Sequence, residues 1–216
     1  MTNDIDQRER SQLSDLFDEL GPDAPTLSGD WTTADLAAHL VVRERKPLAM
    51  PGILIGGRFE ATTEKLMAAE LERHGYAGVV DRVRTGPPIG PMALRPVGRL
   101  LNTIEYVVHH EDVRRPAGRG PRPDDAALQD AVWALLRKAA RLITAPGHLG
   151  PAGLTLVRPG HDPVVAHRAG GAGTATLTAD PVELLLYLYG RQEVAEADLT
   201  GDAAAMTAVE AASFGI

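Results

Sequence analysis

A chain of 216 residues with 44% hydrophobic content can bury a sizeable core. Its formal charge of −7, with 22 basic residues scattered rather than clustered, argues against a nucleic-acid partner or a polybasic membrane anchor. Cysteine is absent, the opening MTNDIDQRERSQ lacks the apolar core of a signal peptide, and the longest apolar run, Leu184 to Leu188, is far too short to span a bilayer.

These features lead to the expectation of a soluble cytoplasmic protein, with monomer and homodimer both left open. The first element is a helix from Asp4 to Leu20, with Ile5, Leu13, Leu16, Phe17 and Leu20 at helical spacing and Gly21-Pro22 as its stop. After the loop PDAPTLSGD, Thr32 begins a second helix, and Asp35 three residues on makes a weaker form of a capping box. That helix ends near Lys46, because Pro47 disfavours helical geometry in the residue before it. MPGILIGG reads as irregular. A third helix follows, roughly Thr62 to Arg84, broken or strained near Gly75 and Gly78.

TGPPIGPMALRP is a proline-rich loop, and a fourth helix covers about Val97 to Arg115 before Pro116. A fifth, Asp124 to Thr144, carries Trp133, Leu135, Leu136 and Leu142 on an amphipathic pattern. Beyond Pro146 the period changes from 3.6 to 2: LTLVRP, PVVAHRA and TATLTA read as a small antiparallel sheet. A helix from Pro181 to Arg191, with proline at its first position, and a last helix from Ala203 to Phe214 complete the chain. The expected fold is mainly α: a four-helix bundle with an extra helix over 1–146, and a small α+β domain over 147–216.

The residues with the most chemistry are EYVVHHED, 105–112, inside the fourth helix. Glu105 and His109, four apart, share a helical face, and Asp112 lies less than a turn further along it. Leu101 and Val108 on the same side turn that face inward, where a carboxylate and an imidazole are costly unless satisfied. A divalent metal would satisfy them, and His39, among Leu36, Leu40 and Val41 on the second helix, is the candidate third ligand. Two imidazoles and one carboxylate leave positions open for water or substrate. The competing reading is a surface Glu105–His109 pair with His39 as a core histidine bonded to a carbonyl.

WTTADLAAHLVVRE resembles the Trp-x-x-x-x-Leu-x-x-His segment of the DinB-like, mycothiol-dependent maleylpyruvate isomerase family, and EYVVHHED resembles its Glu-x-x-Val-His-x-x-Asp segment. ELLLYLYGR, followed by LTGD, resembles the Glu-Leu…Gly-Arg pattern of that family's small C-terminal domain. The phrases VVRERKP and VVHHEDVRRP are similar to those of an actinobacterial metal-binding subgroup. The resemblance implies a DinB-like bundle in which His39, Glu105 and His109 hold zinc, with nickel, iron or manganese also compatible with the ligand set. It also implies mycothiol as the thiol cofactor, an electrophilic substrate, and isomerase or S-transferase chemistry. The subgroup phrases depart from the isomerase itself, so maleylpyruvate is not implied as the substrate. A metal- or ligand-binding module without turnover is the alternative.

Asp112 reads either as a group orienting a metal-bound imidazole or as a partner of Arg115 or Arg43. Arg43, one turn beyond His39, reads as a clamp for an anionic substrate or as a salt bridge with Glu44 or Asp112. By the resemblance Arg191 reaches the active-site cleft; by position alone it is a helix C-terminal charge. His110 points to a different side of the helix, to solvent or a helix–helix contact, and His74 reads as surface. His148, His161 and His167 lack ligand spacing. GGAGTATL leads into a strand rather than a helix, so it reads as a hairpin turn and not a phosphate loop. No GxSxG, P-loop or Cys-His arrangement is present.

Overall fold

Helical periodicity sets the first part of the chain and alternation part of the second, and a computed structural model gives both in detail for residues 5–45, 60–87, 96–145 and 149–212. MPGILIGG, most of the proline-rich loop, His148 and Phe214 lie outside the described residues. Among those described, the chain is mainly helical with one four-stranded sheet, and it divides into two compact units, 1–120 and 121–215. No helix among them is long and apolar enough to cross a membrane.

Among the described residues the first unit holds four helices: α1 (Ile5–Leu20), α2 (Thr33–Arg45), α3 (Glu60–Thr85) and α4 (Pro96–Arg114). α2 packs on α3, and α1 packs on both α3 and α4. Leu13 and Phe17 of α1, Leu36 and Leu40 of α2, Val79 and Val83 of α3 and Tyr106 and Val113 of α4 are all fully buried in one core. Each aliphatic side chain taken out of water here contributes roughly 1.5–3 kcal/mol. The start of α2 is the expected capping box. Thr32 N donates to Asp35 Oδ2 at 2.9 Å, and Asp35 N donates back to Thr32 Oγ1 at 3.4 Å.

Gly75, at φ 64° and ψ 170°, interrupts α3 where a break is expected, while Gly78 stays helical. At the end of α3 two arginines from other helices satisfy exposed carbonyls. Arg10 Nη1 donates to Val83 O at 2.7 Å, and Arg45 Nη2 donates to Arg82 O at 3.2 Å.

The second unit contains α5 (Ala126–Ile143), β1 (Gly153–Val157), β2 (Val164–His167), β3 (Thr174–Thr178), α6 (Pro181–Leu188), β4 (Asp198–Gly201) and α7 (Ala203–Glu210). Asp125 caps α5 by accepting from Leu128 N at 3.1 Å. α5 packs on α6 and β2, so it belongs with the sheet. This differs from the sequence-based border at 146: an amphipathic face says that a helix packs, not on what.

The sheet has the order β2-β1-β3-β4 and is mixed rather than antiparallel. β1 pairs antiparallel with β2 but parallel with β3, in the register Leu154↔Ala175 and Leu156↔Leu177, and β3 pairs antiparallel with β4. GGAGTATL is therefore no hairpin turn, because the strands it joins are not neighbours. It passes the start of β1, where Gly170 N donates to Pro151 O at 2.8 Å and Gly153 N to Gly173 O at 2.8 Å. Gly173 (φ 80°) has no room for a side chain, since a Cβ there would lie 2.5 Å from the Asp202 carboxylate.

Candidate metal centre

Capping fixes where α2 starts, so His39 and Arg43 fall one turn apart on a single face. On α4, Glu105 and His109 are likewise one turn apart, with Asp112 three residues on. The bundle brings these faces together within the first unit: one ligand atom each from His39, Glu105 and His109 lies within 4.8 Å of the others. Two ligands each ~2 Å from a shared ion can stand ~4 Å apart, so small side-chain adjustments close the set.

Each ligand is held differently. His109 Nδ1 bonds Asp112 Oδ2 at 2.8 Å, which leaves Nε2 to face Glu105 Oε2 at 3.3 Å. Asp112 is completely buried, and the same oxygen accepts from Ser28 Oγ at 2.9 Å. Its backbone carbonyl accepts from Leu27 N at 3.0 Å. Glu105 Oε2 also lies 3.3 Å from Arg43 Nε, and Arg43 Nη1 donates to Asn102 Oδ1 at 3.0 Å. His39 has no such bond: its Nδ1 is buried without a hydrogen-bond partner. Its ring is set by packing, with centroids 5.1 Å from Trp31 and 5.4 Å from His109.

Burial and charge fix the protonation states. Burial, helped by the neighbouring His109, pushes the His39 imidazole down to about 3, so it stands neutral with a lone pair available. Burial alone would raise Glu105, but the hydrogen bond with His109 and the charge of Arg43 hold it at about 2, as a carboxylate. Burial would lower His109, but the hydrogen bonds to Asp112 and Glu105 outweigh it and lift the imidazole to about 9.

This donor set fits a divalent transition ion. Two imidazole nitrogens and a carboxylate oxygen are its usual ligands, one of the imidazoles lacks any other partner at a buried nitrogen, and the second carries the carboxylate brace common behind metal-bound histidines. The reading of His39 as a core histidine bonded to a carbonyl finds no such bond at Nδ1.

The other residues singled out in the sequence fall elsewhere. Asp112 bonds His109 and Ser28, and Arg115 meets Glu111. Arg43 pairs with Glu105, while Glu44 belongs to Arg10. Arg191 lies in the second unit, where its guanidinium donates to Tyr189 O. His110 is a buried helix–helix contact, with Nδ1 2.8 Å from Glu9 Oε2 of α1. His74 is half-buried, 3.7 Å from Glu70. His161 and His167 bond the carbonyls of Pro159 and Ala152.

Ser28 and Trp31, which brace the two histidines, were not foreseen. Nor was the buried group of Arg10, Glu44 and Tyr106, in which Tyr106 OH donates to Glu44 Oε1 at 2.9 Å and the Arg10 guanidinium lies 4.3 Å from the tyrosine ring. No family model matches the chain, and no curated protein or solved structure matches it.

Proposed function

We propose that the first unit is a DinB-like metal-binding bundle, that His39, Glu105 and His109 hold one divalent ion, zinc foremost, and that the protein is an isomerase or S-transferase dependent on a low-molecular-weight thiol such as mycothiol. The observation that carries the metal reading is the convergence of one donor atom each from His39, Glu105 and His109 within 4.8 Å of one another. The thiol rests on the sequence resemblance and on a chain without cysteine, which must take its sulfur from outside.

A bound divalent ion lowers the pKa of a ligated thiol or water, making a nucleophile available at neutral pH. The chain's own residues prepare for this. Near neutrality His39 is a neutral imidazole with a lone pair and Glu105 a carboxylate, and Asp112 holds His109 Nδ1 so that Nε2 faces inward. The electrophile is a small molecule, and Arg43, beside Glu105, is the cation of the first unit assigned to its carboxylate or to that of the cofactor. The alternative, a ligand-binding or sensing module without turnover, draws on Arg43, whose guanidinium is engaged with Glu105 and Asn102 inside the bundle.

Elemental analysis of the purified protein tests the first part, with one equivalent of metal expected and lost in His39→Ala. Depletion of an electrophile such as a maleyl acid, in the presence of mycothiol, tests the second. Turnover abolished by His39→Ala with the helical content intact supports the enzyme. Metal uptake without thiol binding leaves the module reading.

A further inference from the structure

Among the described residues at the site, Arg43 carries a positive charge that, unlike that of His109, is not given up when a cation binds. Its Nε lies 3.3 Å from Glu105 Oε2, the same oxygen that faces His109 Nε2 at 3.3 Å, and its side chain is 3% exposed. A guanidinium so placed is permanently charged and poorly screened, and it repels a dication held by that carboxylate. Asn102 Oδ1 holds it in place at 3.0 Å. A neutral side chain could have positioned Glu105 by hydrogen bonding without this repulsion, so the charge itself is the feature to explain.

The charge count gives the explanation. Among the described residues around the site, Glu105 and Asp112 each supply −1, Arg43 supplies +1, and His39, Ser28, Trp31 and Asn102 are neutral. With His109 also neutral as a ligand, the protein contributes −1, and a divalent ion brings the centre to +1. A net unit charge in a largely buried site is costly unless an opposite charge joins it. Without Arg43 the loaded centre would be neutral and would favour water or another neutral ligand.

We propose that Arg43 selects the charge of the exogenous ligand: it weakens metal binding in order that the loaded centre takes a single small anion in preference to a neutral molecule. This rests on the metal reading above and extends it to the class of ligand, a monoanion, and to the residue that sets it.

The test uses the full chain loaded with Co(II), whose visible spectrum reports both metal and ligand binding, titrated with azide as the anion and imidazole as the neutral comparator. In Arg43→Met, Co(II) affinity is expected to rise by about tenfold or more, because a like charge has been removed. Azide affinity is expected to fall by about tenfold while imidazole affinity changes by less than about twofold. Arg43→Lys, which keeps the charge without the fork, should retain most of the azide preference; it also reads the proposal should the Met variant lose its helical content. Weaker Co(II) binding in Arg43→Met, or equal losses for azide and imidazole, would overturn the assignment of Arg43 alone. Failure of the wild-type chain to take up Co(II) overturns the metal reading and this inference together.

Discussion

Replacing Asp112 by Asn tests the centre at the place where the structure sets its geometry. The change keeps the shape of a completely buried side chain, so it opens no cavity, but it removes the charge that His109 Nδ1 meets at 2.8 Å. The Ser28 hydroxyl already occupies the same oxygen, and burial leaves little room for water to substitute. A charge-assisted bond is about twice as strong as a neutral one, and partners of this kind are generally worth about 10–100-fold in metal affinity, or ~1.4–2.7 kcal/mol. Asp112→Asn should therefore bind Zn(II) about 10–100-fold more weakly at pH 8, measured by competition with a chromophoric chelator. Ser28→Ala, which removes a donor to the same carboxylate without touching a ligand, should lose less than the Asn variant. An affinity for the Asn variant within twofold of wild type, with the fold intact, would refute the view that Asp112 prepares His109 for the metal.

Three further expectations follow from other parts of the structure. Metal binding should release about one proton near pH 7, because His109, lifted to about 9, carries one while His39 and Glu105, held at about 3 and 2, carry none. Affinity should thus rise about tenfold per pH unit from 6 to 8, and calorimetry in buffers of different ionisation enthalpy showing no release would contradict the His109 assignment. Trp31, with its ring 5.1 Å from that of His39, should change its fluorescence on metal loading in a Trp133→Phe background; unchanged emission at demonstrated saturation would separate the tryptophan from the site. Arg10→Met removes the ion-pair partner of buried Glu44, leaving it the hydrogen bond from the Tyr106 hydroxyl, and should cost about 3–5 kcal/mol in urea unfolding. A loss below about 1 kcal/mol would show that this group is solvated or redundant.

The three side chains that converge, His39, Glu105 and His109, were legible in the sequence because the signal is local. Glu105 and His109 share a face through helical spacing alone, and His39 sits within an apolar run that has to turn inward. The Thr32–Asp35 cap was equally local and is present. Pairings across long separations were not legible. Glu9 meets His110 from 101 residues away, and Arg10 meets Glu44 from 34, yet in an amphipathic helix both α1 residues look like ordinary solvent-facing charges. Arg43 reads in the sequence either as a clamp for an anionic substrate or as a partner of Glu44 or Asp112; its ion pair is with Glu105, because Glu44, next to it in sequence, points to Arg10. In the sheet, alternation identified three strands but contained no information on direction, and β4, whose DLTG holds a single apolar residue, has no alternation to read.

The allegiance of α5 decides how the gene can be cut and recombined. The candidate metal group and its braces, from Ser28 to Asp112, lie upstream of residue 120, whereas Leu128, Val132 and Leu136 are fully buried within the later unit. A truncation at 146 would carry those side chains along without β2 and α6 to cover them, leaving a sticky helix on an otherwise whole bundle. A crossover or linker insertion at 120/121 falls instead in the loop before Asp125, where it separates the two cores without opening either.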